Sequence, residues 1–134
     1  PALGTAQRAQ FYKWLVWMAV TLQSTLIIYF YPERWAQEGD APRAAEVRAI
    51  AAQKIAGMLD QLDAELARHG QAWLGGADYS ALDAYAFTLC RWTRNFASGP
   101  ARERTYLGPY LQRVLARPAV QRVMVNEGLS APWV

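Results

Sequence analysis

The stretch GGADYSALDAYAFTLCRW, Gly75 to Trp92, decides the fold. Ser80 at the N-cap can accept a hydrogen bond from the Asp83 amide, and the Asp83 carboxylate can reach back to the Ser80 amide. This reciprocal box satisfies amides that a helix start leaves without partners, and the serine cap alone contributes about 1 kcal/mol. The run that follows, ALDAYAFTLCRW, is apolar almost all round, so its start cannot rely on water. The pattern predicts a core helix from Ser80 to about Phe96, the most buried of the chain. Tyr79 and Ala84 occupy the positions of a hydrophobic staple but make a weak pair, so Tyr85 is expected to take part of that role.

Working outward, the remaining sequence also reads as helix, with no repeat and no strand-like alternation bounded by hairpin turns. A first helix starts at Thr5 as N-cap and runs to the break at Pro32. Phe11, Leu15, Met18, Leu22, Leu26 and Tyr29 form its expected core stripe. Trp14, Trp17, Thr21 and Ile28 form a second apolar stripe, and Tyr12, Val16, Ala19, Gln23 and Phe30 a third. A helix apolar on three sides needs cover on three sides. Asp40 caps a long helix to about Arg68, with Val47, Ile50, Ile55, Met58, Leu62 and Leu66 inward and Gly70 at its C′ position. His69 is expected to help cap that C-terminus. Two shorter helices follow at about Tyr106–Ala116 and Pro118–Glu127, the second opened by its proline. The fold class is therefore all-α, about five helices in one domain over residues 1–134.

Composition narrows the chemistry. Cys90 and His69 are the only residues of their types. They exclude an intrachain disulfide, a zinc site or a Cys-His or Ser-His catalytic pair built within the chain. No catalytic residue is assigned. Cys90, in mid-helix among apolar neighbours, reads as a buried inert thiol. Residues 1–90 hold seven basic against nine acidic side chains, and residues 91–134 seven arginines against two glutamates. Those arginines are spread along helices as on a solvated face, with no nucleic-acid motif among them. WLVWMAVTLQSTLIIYFY, Trp14 to Tyr31, is nearly long enough to cross a bilayer. Thr21, Gln23, Ser24 and Thr25 at its middle favour a buried protein helix, and no membrane or nucleic-acid partner is expected.

WLGGADYSALDAYAFTLCRW followed by YLQRVLARPAVQRVMVNEGL resembles the C-terminal helical domain of cytosolic glutathione transferases, closest to bacterial beta-like members. The matching residues are Ser80, Asp83, Ala84, Tyr85, Phe87, Thr88, Arg91 and Trp92, then Arg117 to Gln121 and Glu127 to Leu129. GTAQRAQFYKWL, from Gly4, is similar to the start of that domain after its interdomain linker.

The resemblance implies a glutathione transferase C-terminal-like helical bundle. It also implies a partner that this chain lacks, an N-terminal thioredoxin-like domain that binds glutathione and activates its thiol. Glutathione would be the co-substrate of the parent protein, a cytoplasmic homodimer, and the 134-residue chain alone is expected to be inactive and to hold no cofactor or metal. The second and third stripes of the first helix would then meet the missing domain, the ligand and the dimer partner. Trp14, Trp17 and Ile28 are the expected dimer face. Tyr12, Val16, Gln23 and Trp92 are the candidate wall of a pocket for a hydrophobic electrophile; each is open to a second reading as plain core or interface. Val16 stands where many beta-like members have Asn, and Gln23 and Ser24 where many have His and Lys, so their usual glutathione contacts are not expected here. Ser80 and Asp83 are structural. The alternative function is a non-enzymatic binding or dimerisation module of a transferase-like protein.

Overall fold

A computed structural model describes residues 1–134. Its helices are α1 (Ala6–Trp17), α2 (Gln23–Phe30), α3 (Ala41–His69), α4 (Ala81–Trp92), α5 (Leu107–Leu115) and α6 (Pro118–Asn126). Helices α1 and α2 are the two halves of one continuous rod, Ala6–Phe30, joined by a π-helical turn at Met18–Leu22. The bundle is thus all-α with five rods, plus short 3-10 turns at Pro32–Trp35 and Ala101–Glu103.

The π turn explains which side of the rod is buried. Trp14, Met18, Leu22 and Leu26 all enter the core, each four residues after the last. On an ideal α-helix a step of four drifts by about 40°, so the row would swing off the core face within three steps. A turn closed by i→i+5 bonds is wider and absorbs that drift. Trp14 therefore belongs to the core row and not to a separate dimer stripe. Its indole Nε1 donates to Glu65 Oε1 on α3 at 3.3 Å, and Trp17 stacks edge-on against it at 5.2 Å. Glu65 also pairs with Arg68 at 2.7 Å, and this guanidinium, with the indole hydrogen bond, holds its carboxyl below the ordinary range. Ile28 borders a hollow against Val47, Ile50 and Ala51 of α3. The face expected to meet a dimer partner is largely covered from within by α3. Phe11, Leu15 and Tyr29 are half-buried at the core's margin.

Helix α3 starts at Asp40, which accepts from the Arg43 amide at 3.0 Å, and stops at Gly70 in the left-handed region, φ 61°. His69 does not cap the helix carbonyls: its Nδ1 accepts from the Gln71 amide at 2.9 Å and closes the following turn. The buried row is Ala51, Ile55, Leu59, Leu62 and Leu66. Ile50 is exposed, a correction to the expected inner side, because the row that fits the rod runs one residue later.

Helix α4 begins as read from the sequence and ends earlier. The capping box is present, with Ser80 Oγ accepting from the Leu82 amide at 3.3 Å. The helix stops at Trp92, not Phe96, because Thr93 turns inward and is fully buried. Its hydroxyl donates to the Cys90 carbonyl at 2.7 Å and accepts from the Ala101 amide at 2.9 Å, tying the helix end to the 3-10 turn. Nor is α4 the most buried helix. Ala81, Ala84 and Thr88 are exposed along one side, whereas six of the nine residues of α5 are buried. Tyr79 packs against Trp73 at 5.1 Å and lies under the Arg117 guanidinium at 3.7 Å, so the staple is made with α6's start and not with α4.

Asp83 is the centre of this region. It is fully buried, and its carboxylate accepts from the Ser80 amide at 2.7 Å, the Leu74 amide at 2.8 Å and the Tyr110 hydroxyl at 2.8 Å. One side chain thus fixes the helix start, the preceding loop and α5. Ser80→Ala removes only the weaker arm and is expected to cost about 1 kcal/mol in chemical denaturation; a melting curve superimposable on the wild type would contradict the cap.

Candidate functional site

The outer face of the rod carries Tyr12, Val16 and Val20, exposed at 45%, 54% and 65%. Spaced by four, they follow the same register that the π turn imposes on the core row. Further along the rod, Gln23 and Phe30 turn toward α4. The Tyr85 hydroxyl donates to Gln23 Oε1, and burial raises the Tyr85 phenol above its ordinary range. Tyr85 therefore bridges to the rod and takes no part in a staple. Seven residues, about two turns, later on α4, Trp92 meets Phe30 edge-on at 6.3 Å. Gln23–Tyr85 and Phe30–Trp92 are two rungs between the rod and α4.

The four candidate residues do not converge on one cavity. Trp92 lies at the junction of two clefts. One, about 520 Å³, runs along Ile27, Phe30, Arg48 and Phe96; the other, about 540 Å³, separates α4 from α6. Tyr12, Val16 and Gln23 line neither. Val16 and Phe30 are fourteen residues apart, about 21 Å along the rod. Tyr85, Val20 and Phe30 were not singled out from the sequence as site residues; the seven-residue spacing of Tyr85 and Trp92 on one helix face was the available signal.

The titratable groups near this face offer no nucleophile. Cys90 is fully buried, and burial pushes its thiol up to about 12. At pH 8 that leaves about one thiolate in ten thousand, and only the thiolate reacts. The folded chain is expected to resist a disulfide reagent at pH 8 and to react at one thiol on unfolding; rapid labelling without denaturant would contradict the burial. Tyr110 is raised further, by burial first and by Asp83 second. No group of three or more His, Cys, Asp or Glu side chains could hold a metal.

The order of the helices, the capping box at the start of α4 and the α5–α6 corner entered through Pro118 define an all-α helical domain. The family model for the glutathione S-transferase C-terminal domain matches residues 17–118. The chain belongs to that family. A curated relative, an uncharacterized GST-like protein, YncG, of Escherichia coli strain K12, is 28% identical over 129 residues. The match takes in 92% of this chain and 57% of the relative, so the chain spans little more than half the relative's length. No solved structure matches the chain. The rod Ala6–Phe30 is long and apolar enough to cross a membrane by length and composition, but here it is a core helix that packs Met18, Leu22 and Leu26 against its neighbours.

Proposed function

We propose that this chain is the helical domain of a glutathione S-transferase-like protein and supplies the apolar wall against which an electrophilic acceptor is held during glutathione conjugation. The observation that carries the reading is the exposed row Tyr12, Val16, Val20. An exposed apolar row on a helix that already has a full core row supports a binding surface. Gln23, held by Tyr85, and Trp92, backed by Phe30, extend it toward α4. Glutathione is the co-substrate of the whole protein, bound by a thioredoxin-like domain seated beside this one. A homodimer and a cytoplasmic setting complete the reading; a single unpaired cysteine fits a reducing compartment.

The test is steady-state conjugation of a chlorinated nitrobenzene by the protein carrying both domains. Val16→Asp puts a charge on an exposed position, so folding is spared while the apolar wall is broken. KM for the electrophile is expected to rise about tenfold, with KM for glutathione within twofold of the wild type. Unchanged electrophile KM would remove Val16 from the wall. Absence of any conjugation by the wild-type protein would favour a non-enzymatic binding and dimerisation module instead.

A further inference from the structure

The N-terminal half of the rod hangs on one side chain. Trp14 is the sole buried residue of α1. Its indole bond to Glu65, at 3.3 Å, is the one side-chain hydrogen bond that this half makes to another helix. Those of Thr5 and Arg8 stay among the residues up to Tyr12. The other half is pinned. Gln23 is tied to Tyr85, Phe30 rests on Trp92, and the Tyr29 carbonyl accepts from Arg48 Nε of α3 at 3.2 Å.

Between the two halves lies the π turn Met18–Leu22. A single π turn holds one residue more than the α-helix around it needs. Losing that extra residue from the turn moves everything before it by one position, about 1.5 Å along the axis and about 100° around it. Leu15 then enters the slot of Trp14, with Phe11 one turn earlier. Lys13 and Trp17 replace Tyr12 and Val16 on the outer face. This second register can be packed. Phe11, Leu15, Met18, Leu22 and Leu26 are all apolar and follow the three-and-four spacing of an α-helical core row. Phe11 and Leu15 already pack half-buried against the core. Nor does the slide leave a charge without its partner: Arg68 Nε and Nη2 still donate to Glu65, at 2.8 and 2.7 Å. Trp14 buries more apolar surface in the slot than Leu15 can, which makes the π register the resting one.

We propose that the π turn is a register switch: Ala6–Leu22 slides by one residue between the resting π form and an all-α form with Leu15 in the core. The two forms present different outer faces, Tyr12 and Val16 in one, Lys13 and Trp17 in the other. A ligand shifts such an equilibrium only by its preference between the forms. An acceptor seated on Tyr12 and Val16 therefore holds the π form. That consequence rests on the function proposed above, whereas the slide rests on packing alone.

Amide relaxation dispersion of the 134-residue chain tests the slide with no acceptor or glutathione present, so its failure is distinct from a failure of the conjugation reading. Microsecond-to-millisecond exchange is expected at the amides of Ala6–Leu22, at one common rate, and not at Gln23–Phe30. Deleting Val20 takes the extra residue out of the turn, leaves Trp14 in its slot and should abolish the exchange. A flat profile in the wild type, or exchange that survives the deletion, would overturn the proposal. Should the deletion variant fail to fold, Leu15→Cys gives a second reading. Serine cannot fill the core slot, so adding Trp14→Ser should draw the new cysteine inward and slow its labelling by a disulfide reagent at least threefold. Without a slide, Trp14→Ser only opens a cavity in the rod's packing. A smaller slowing, or faster labelling, would overturn the switch.

Discussion

Asp83→Ala is expected to destabilise the chain by about 3–5 kcal/mol, enough to lower its melting temperature by about 10 °C or more. The reason is the number of donors left behind. The Ser80 and Leu74 amides and the Tyr110 hydroxyl all point at this one fully buried carboxylate. A hydrogen bond to a charged group contributes about 1.5–3 kcal/mol, and each buried donor without a partner costs about 1–3 kcal/mol. The capping box alone would give Asp83 a loss comparable to the serine cap's ~1 kcal/mol, because a box read in one dimension involves two residues. The added arms come from a loop nine residues upstream and from α5, twenty-seven residues downstream. Asp83→Asn keeps the shape but presents an NH2 where an acceptor is needed, so its loss should fall between those of Ser80→Ala and Asp83→Ala. Denaturant midpoints for the three variants check the order, and equal losses for Ser80→Ala and Asp83→Ala would contradict it.

Gly108→Ala should be the next most damaging change, about 2–3 kcal/mol. In the first turn of α5, a Cβ on Gly108 would land well inside van der Waals contact distance of the Arg102 carbonyl oxygen and 3.2 Å from its carbonyl carbon. The obstacle is backbone on both sides: the Gly108 amide donates to the Arg104 carbonyl at 3.0 Å and holds the turn against the helix. Neither partner can rotate away as a side chain could. Gly57, exposed within α3, has open space where a Cβ would stand, with nothing within 4 Å. Gly57→Ala is therefore expected to stabilise by about 0.5–1 kcal/mol, since alanine loses less entropy in a helix. Thermal melts of the two variants should move in opposite directions; a shift of the same sign in both would refute the close-approach argument.

Much of the fold was legible because its local signals are strong. Thr5, Asp40, Ser80 and Pro118 each mark a helix start, and Gly70 marks a stop. The misses share a physical cause: they depend on contacts across helices. The π turn at Met18–Leu22 gives no local signal beyond a row of apolar residues spaced by four, and it moves Trp14 from the expected dimer face into the core. Thr93 looks like an ordinary helical residue until its hydroxyl is seen bridging Cys90 and Ala101. Which residues stand out on the apolar rod was legible; how they are arranged was not. Gln23 stood out as a polar residue on an apolar face, and its partner is Tyr85 on another helix, a pairing that no spacing within the rod encodes.

The central claim is a division of labour: the rod face takes the apolar acceptor, while glutathione is held elsewhere. Lowering a thiol pKa by two units takes about 2.7 kcal/mol of selective stabilisation of the anion, and exposed arginine–carboxylate pairs contribute about 0–1 kcal/mol each. The surface of this domain alone is therefore expected to hold glutathione no more tightly than about millimolar. Amide chemical shifts of the 134-residue chain, followed in parallel titrations with a chlorinated nitrobenzene and with glutathione, test the claim at residue level. The account predicts that the nitrobenzene shifts amides around Tyr12, Val16, Gln23 and Trp92, and that glutathione leaves them in place below millimolar concentration. Saturable shifts at micromolar glutathione, or nitrobenzene shifts that spare the rod face, would contradict it.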